Sequence, residues 1–493
     1  MFEKSTPEAV GISSADILDL IKMLDEYRFN IHSIIMARGD KVVAECYYKP
    51  FSESFIHRMY SVSKTFVAVA TGLAITEGII SYDDIISDYF PEFKDEADEL
   101  QSECTVCDML KMSSNIGEGM HWWGKFKSRV EAYYTLKSKK IPGTLYFYDS
   151  IGSFLLGCII EKKTGKCFLE YLKEKVLFDI GFSKESFVLK EPGGFSVGDS
   201  GVMCTARDLA LFARFIMKKG EWKGKQYIDR AFMENMIKKQ AHNDLMGSFN
   251  LYNSRGYGYL TWITGEDTFS LIGMGDQLAI CDTKKDFMLV ITADNQAERT
   301  GRHIIFHEVI RHFIPRISDC PLKEDKEAYE KLSDYLNSRS LTHQYGKGNS
   351  PCGKEVNGVK YKALENSLGI TGFKLDFSED EGVLLIETKE KALKLPFGIF
   401  KNIPCSFSFG ERARKDMMGI YEEGKYDCMV SAAWAEENIF VIKAQVTDTY
   451  FGCLNVYISF KGDRATLKFI KSGQYVFDGI DGYINAVKYK EEV

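Results

Sequence analysis

The chain has 493 residues, 45% hydrophobic and 27% charged, with 41 glycines and only 10 prolines. That length exceeds one ordinary core, so two domains are expected, and the composition excludes a disordered or fibrous chain. With 63 basic against 70 acidic residues, a net charge of −7 and no clustered basic patch, nucleic acid and anionic membrane surfaces are excluded as partners.

The start, "MFEKSTPEAVGISSADILDLI", has no basic segment followed by an apolar one, and no run of eighteen apolar residues occurs. A cytoplasmic, unanchored protein is expected. The 12 cysteines are scattered between Cys46 and Cys453, many inside apolar runs such as "LLGCIIE" and "YFGCLNVYI". There a thiol reads as a small buried hydrophobe, which fits a reducing compartment.

In chain order, helical spacing of Ile17, Leu18, Ile21 and Leu24 predicts a helix over 14–27. "IHSIIMARGDKVVAECYY" predicts strands over 33–37 and 41–48, joined at Arg38-Gly39-Asp40 as a hairpin. Residues 61–77 are apolar almost all round, which predicts a buried helix. Helices over "TARDLALFARFIMKKG" and "DRAFMENMIKK" come next, then strands in "GYGYLTWITG", "FSLIGMGDQLAICD" and "DFMLVITAD", and a helix over "ERTGRHIIFHEVIRHFI". Strands at both ends of a helical middle predict a mixed sheet with helices packed on it, over 1–318. Residues 319–355 read as a helix and linker, and 356–493 as short strands between Gly, Asp and Asn turns, an antiparallel barrel or sandwich.

The chemistry centres on Ser61-Val62-Ser63-Lys64. A serine hydroxyl is a poor nucleophile until a base takes its proton. A lysine can be that base where burial or a positive potential lowers its basicity from about 10.4 to roughly 7–8. A helix beginning at Ser61 puts positions i and i+3 on one face, supplies positive potential from its N-terminus, and excludes water through the apolar run behind. Alone, S-x-x-K is a weak match that reads more readily as a serine cap followed by an exposed lysine. Two further stretches add weight. "IPGTLYFYDSIGSFLLG" (141–157) places Tyr148 and Ser150 in a turn before a small-residue helix, and "FSLIGMGDQLAICD" carries Gly273 and Gly275 where a strand allows close approach.

With these segments in order, the sequence resembles the penicillin-recognising serine hydrolases. That family comprises class C β-lactamases, D,D-peptidases, family VIII-type esterases and, most similar of all, 6-aminohexanoate-dimer hydrolases. The resemblance runs from about residue 6 to 315. It rests on "PEAVGIS", "HSIIMARGDKVVAE", "HRMYSVSKTFVAVATGLAITEGIISYDDIISDYFPE", "TVCDMLKMSS", "IPGTLYFYDSIGSFLLG", "GVMCTARDLALFAR", "GYGYLTW" and "GMGDQLAICD". It implies an α+β fold, an antiparallel sheet with a helical domain, followed here by a β-barrel-like, lipocalin-like C-terminal domain. It also implies that Ser61 is acylated, that Lys64 is the motif's lysine, and that Tyr148 shares the proton relay as the Tyr of Y-x-N. Ser150 stands where β-lactamases have asparagine. The K-T-G strand aligns with Leu271-Ile272-Gly273, so its cation is missing, and the Met274 N–H completes an oxyanion hole with that of Ser61.

Because leucine cannot pair with a carboxylate, neutral or apolar ester and linear amide substrates are expected, with little β-lactamase activity. "SSN" (113–115) offers Ser113 in place of Tyr148, but its context matches a structural segment of the family. No metal or cofactor is expected. His303, His307 and His312 lack the H-E-x-x-H pattern and read as an ordinary helix, and Cys104-x-x-Cys107 has no second pair. Trp122, Trp123, Tyr257 and Trp262 read as cleft walls or core, and the C-terminal barrel as filled rather than lipid-binding. A D,D-peptidase, D-aminopeptidase or β-lactamase is the first rival, although a carboxylate-binding group and export are not apparent. A non-catalytic relative with a ligand-binding C-terminal domain is the second, opposed by the retained Ser61, Lys64 and Tyr148. The oligomeric state is left open.

Overall fold

A short strand β1 (Glu3–Lys4) precedes the first capped helix. In the computed structural model, which describes residues 2–117, 128–244, 251–297, 301–415, 417–418 and 420–489, Ser13 Oγ accepts the Asp16 N–H at 3.4 Å. This satisfies one of the N–H groups that a helix start leaves open. The helix, α1 (Ser14–Glu26), turns Ile17, Leu20, Ile21 and Leu24 inward. The hairpin follows as β2 (Ile31–Arg38) and β3 (Lys41–Tyr47). Next come β4 (His57–Arg58), α2 (Ser63–Thr76), α3 (Ser150–Thr164), β5 (Phe187–Val188), β6 (Val202–Cys204) and α4 (Ala206–Met217). Three hairpin-linked strands and their neighbour, β7 (Trp262–Ile263), β8 (Thr268–Gly273), β9 (Gln277–Asp282) and β10 (Phe287–Ala293), lead to α5 (Gly301–His307).

The main sheet runs β1-β3-β2-β10-β9-β8-β7 and is antiparallel apart from the β1–β3 pair. Strand alternation divides its side chains between two layers. Ile35, Ala37, Phe269, Leu271, Ala279, Cys281, Met288 and Val290 pack on the side of α2, α3 and α4. Ile34, Met36, Ile272, Leu278, Ile280, Leu289 and Ile291 pack against α1 and α5. Every residue of α2 from Ser63 to Ala74 is buried, which explains its apolar character on all faces. A further helix, α6 (Lys326–Asn337), adds Leu332 to the α1 layer, and Arg339 just beyond it pairs with Asp25 at 2.8 Å. The first unit therefore comprises Met1–Arg339 with Asp416–Gly419, and the second Ser340–Lys415 with Ile420–Val493.

The second unit is built from β11 (Lys360–Ala363), β12 (Ile370–Phe377), β13 (Glu381–Thr388), β14 (Ala392–Ile399), β15 (Ile403–Ala413), β16 (Tyr421–Glu436), β17 (Ile439–Val446), β18 (Cys453–Lys461), β19 (Arg464–Ser472) and β20 (Gly482–Lys488). Nine of these close a barrel in the order β14-β13-β12-β11-β20-β19-β18-β17-β16. Closure comes from a parallel contact, Gly398 with Ser431 and Ile399 with Ala432, that bypasses β15. The ring leaves few free strand edges. Inside it, Phe440 packs 5.0 Å from Trp434 and 5.3 Å from Phe397, and Tyr361 packs 5.8 Å from Phe460. All five rings are buried. Among the described residues no helix is long and apolar enough to cross a membrane, and all twelve cysteines are free thiols.

Candidate active site

Ser61 does not begin α2. It lies in a single 3₁₀ turn, Tyr60–Val62, and the α-helix starts at Ser63, two residues later than the sequence suggests. The tighter turn brings positions i and i+3 closer to eclipse than an α-helix does. Lys64 Nζ accordingly donates to Ser61 Oγ at 3.1 Å. Tyr60 enters the turn at φ +47°, a left-handed conformation that costs a non-glycine residue about 1–3 kcal/mol and clusters at functional sites. Ser61 is half-buried, whereas Lys64 is only 1% exposed.

A buried ammonium needs acceptors, and its second one was not visible in the sequence. Lys64 Nζ also donates to the main-chain oxygen of Asp199 at 2.8 Å. The Asp199 carboxylate in turn accepts from Arg129 Nη1, both groups being buried. Burial alone would raise the Asp199 carboxyl, but Arg129 and Lys64 outweigh it and hold it below the ordinary carboxylate range. Arg129 also lies 4.4 Å from the centre of the Phe154 ring on α3.

Tyr148 packs at this centre, with its ring centre 5.1 Å from Lys64 Nζ, and stacks on Trp262 at 5.3 Å, which itself meets Tyr257 edge-on at 5.0 Å. Among the described residues, the Tyr148 hydroxyl forms no hydrogen bond to Ser61 or Lys64, and such contacts often tighten only with substrate. Ser150 is the first residue of α3, and its hydroxyl is not a partner of Lys64. Lys64 donates instead to the Asp199 carbonyl. Between them, Asp149 caps α3 by accepting the Ile151 and Gly152 N–H groups, and burial raises its carboxyl. Ser113 is buried and donates to the Asp108 carbonyl oxygen at 3.4 Å, with no hydrogen bond to Ser61 or Lys64 among the described residues. Trp122 and Trp123 lie outside the described residues.

The strand aligned with K-T-G is β8. Leu271 is wholly buried on the α2 side, and Ile272 points into the opposite layer. Gly273 is required sterically, since a Cβ there would stand 2.3 Å from the Met59 carbonyl oxygen, two residues before Ser61. Strand β8 and the Ser61 turn thus touch through backbone, with the half-buried Met274 next in the β8–β9 turn. Arg302 braces that turn, donating to the Gly273 carbonyl oxygen at 3.0 Å and to Asp276 Oδ1 at 2.8 Å.

The Beta-lactamase family profile matches residues 20–304, more than half of the chain. The chain belongs to this family of serine hydrolases. A 6-aminohexanoate-dimer hydrolase of Paenarthrobacter ureafaciens is 25% identical over 264 residues, 49% of this chain and 67% of its own length. An N-acetylmuramyl-L-alanine amidase of Bacillus subtilis is 28% identical over 135 residues, 24% of this chain, which spans only 31% of that relative. A solved structure titled for a 6-aminohexanoate-dimer hydrolase from Bacillus anthracis aligns with TM-score 0.53 at 19% identity, covering 64% of this chain and 88% of the other. That likeness shows the fold.

Four positions before Ser61 in this beta-lactamase-family domain, His57 meets a second histidine. His57 Nε2 sits 3.1 Å from His32 Nδ1, and burial, only partly offset by a Gln277 contact, takes the His57 imidazole down to about 3. An unfolded histidine titrates near 6.5, so between about pH 6.5 and 3 the unfolded chain binds one more proton than the native one. Stability is therefore lost as pH falls through this window. From pH 7.5 to 5, wild type should lose about 2 kcal/mol more than His57→Gln. Urea midpoints of both proteins at the two pH values test this, and equal losses would contradict it.

Proposed function

We propose that the protein hydrolyses a neutral or apolar ester or linear amide through an acyl-enzyme on Ser61. The observation that carries this reading is the 3.1 Å hydrogen bond from a fully buried Lys64 to Ser61 Oγ, with the ammonium anchored on the Asp199 carbonyl. Lys64, once deprotonated, takes the Ser61 proton as the oxygen attacks the acyl carbon. The N–H groups of Ser61 and Met274 hold the resulting oxyanion, each such donor typically contributing about 10²–10³ in rate. Tyr148 and Lys64 return the proton to the leaving alcohol or amine. Water then enters, loses a proton to the same relay and releases the acid. The free thiols fit a reducing, cytoplasmic setting. One relative's name, N-acetylmuramyl-L-alanine amidase, adds weight to an amide substrate.

The substrate class follows from Leu271, which puts an apolar, buried side chain at the position that the resemblance reserves for a carboxylate-binding cation. For paired substrates differing only in a methyl ester against a free carboxylate near the scissile bond, kcat/KM should favour the neutral one by about 10²-fold, as expected when a charge partner is missing. Nitrocefin should be a poor substrate. Preference for the carboxylate member, or efficient nitrocefin turnover, would replace this reading with the β-lactamase or D,D-peptidase one.

A further inference from the structure

In the segment "HIIFHEVIRHF", read as an α-helix, His307 and His312 could not share a metal, because positions five apart lie about 140° from each other. The fold changes that geometry. After α5 the chain passes directly into a π-helix, Glu308–Phe313, where hydrogen bonds run from i to i+5 and residues five apart come one above the other. His307 and His312 consequently meet, Nε2 to Nε2, at 3.2 Å. Two imidazoles on a tetrahedral zinc ion, with Zn–N bonds of about 2.0–2.1 Å, place their nitrogens about 3.3 Å apart. A carboxylate oxygen of Glu308 joins them, all three ligand atoms lying within 4.8 Å of one another.

The other nitrogen of His307 is also engaged. Its Nδ1 lies 3.0 Å from Tyr252 Oη, and Tyr252 is buried. With the proton on Nδ1 donated to Tyr252, the Nε2 lone pair is left for a metal, the arrangement by which a second-layer partner fixes a ligating imidazole. Both histidines are exposed and Glu308 is partly so, which leaves entry open and a position for water. Two imidazoles and one carboxylate select a borderline transition metal over magnesium or calcium. His303, on the preceding turn, is not part of this set.

We propose that His307, His312 and Glu308, oriented by Tyr252, form a binding site for a divalent transition metal of the zinc class. The site stands apart from the Ser61 relay, and no hydrolytic step uses it. The alternative occupant of the same geometry is a bare hydrogen bond between the two imidazoles. Tag-free, chelator-stripped full-length protein titrated with ZnCl₂ by calorimetry should bind one ion, and Co²⁺ should give a visible absorption band. His307→Ala and His312→Ala should each abolish the one-to-one isotherm. Tyr252→Phe should weaken it about 10-fold. Because an exposed side chain is removed in each histidine variant, far-UV dichroism should be unchanged, and Glu308→Gln gives a further ligand deletion that keeps the shape. Absence of saturable binding in wild type up to about 1 mM Zn²⁺, or binding that survives both histidine substitutions because thiols carry it, would overturn the proposal.

Discussion

Ser61→Ala is expected to lower kcat/KM for a short-chain p-nitrophenyl ester by roughly 10⁴–10⁶-fold, the scale of losing a nucleophile that works as one unit with its base. The side chain removed is half-buried and makes a hydrogen bond to Lys64. Its loss should therefore cost only about 1–2 kcal/mol of stability, so the protein remains folded while activity disappears. Lys64→Met keeps the length of the buried stem and removes the base, and should cost activity on a similar scale. The double variant should be no slower than either single one, because the hydroxyl and the amine act in one step. Fluorophosphonate labelling, followed by mass spectrometry, should place the adduct on the peptide containing Ser61 and should fail in Ser61→Ala. Equal turnover in wild type and Ser61→Ala would remove Ser61 from the mechanism, whatever the fate of the label.

The parts of this molecule that are legible in the sequence are those governed by local periodicity. The 14–27 helix appears as Ser14–Glu26 and the 41–48 strand as Lys41–Tyr47, because apolar spacing and a serine cap specify them within one or two turns of chain. The helix that follows Ser61 is shifted at its start, since the sequence pattern of S-x-x-K is the same whether its first turn is α or 3₁₀. What could not be read depends on long-range partners. Asp199 reaches Lys64 through its carbonyl oxygen, a group that every residue possesses, so no residue type marks the contact. Arg129 and Asp199 stand 70 positions apart. The parallel β14–β16 contact that closes the barrel likewise skips a strand, where alternation alone pairs neighbours. The π-turn brings His307 to His312 by inserting a register that a search for i, i+4 ligands does not test. Only the Gly273 requirement had a visible sign, a glycine inside a strand, and its cause is the Met59 backbone beneath it.

The Arg129–Asp199 pair should dominate stability among the polar groups of the site. Arg129 is 1% exposed and Asp199 6% exposed, so water screens neither charge well, and each serves the other as a counter-charge. Asp199→Ala leaves a buried guanidinium without this counter-charge and should cost about 3–5 kcal/mol. Arg129→Met leaves a buried carboxylate that keeps the more distant help of Lys64 but loses its directly paired cation, and should cost a similar amount. Combining Arg129→Met with Asp199→Leu removes both charges and refills the space with apolar atoms, so the loss should fall short of the sum by about 2–3 kcal/mol. Urea unfolding of the four proteins measures this coupling directly, and strictly additive losses would show that the two side chains do not stabilise one another. The effect should extend to catalysis. The same residue whose carboxylate holds Arg129 presents its carbonyl to Lys64 at 2.8 Å. A variant that loosens the 199 backbone therefore lets the ammonium leave Ser61, and kcat should fall even where the protein remains folded. Asp199→Asn, which keeps the shape and can still accept a hydrogen bond from Arg129, should retain more activity than Asp199→Ala.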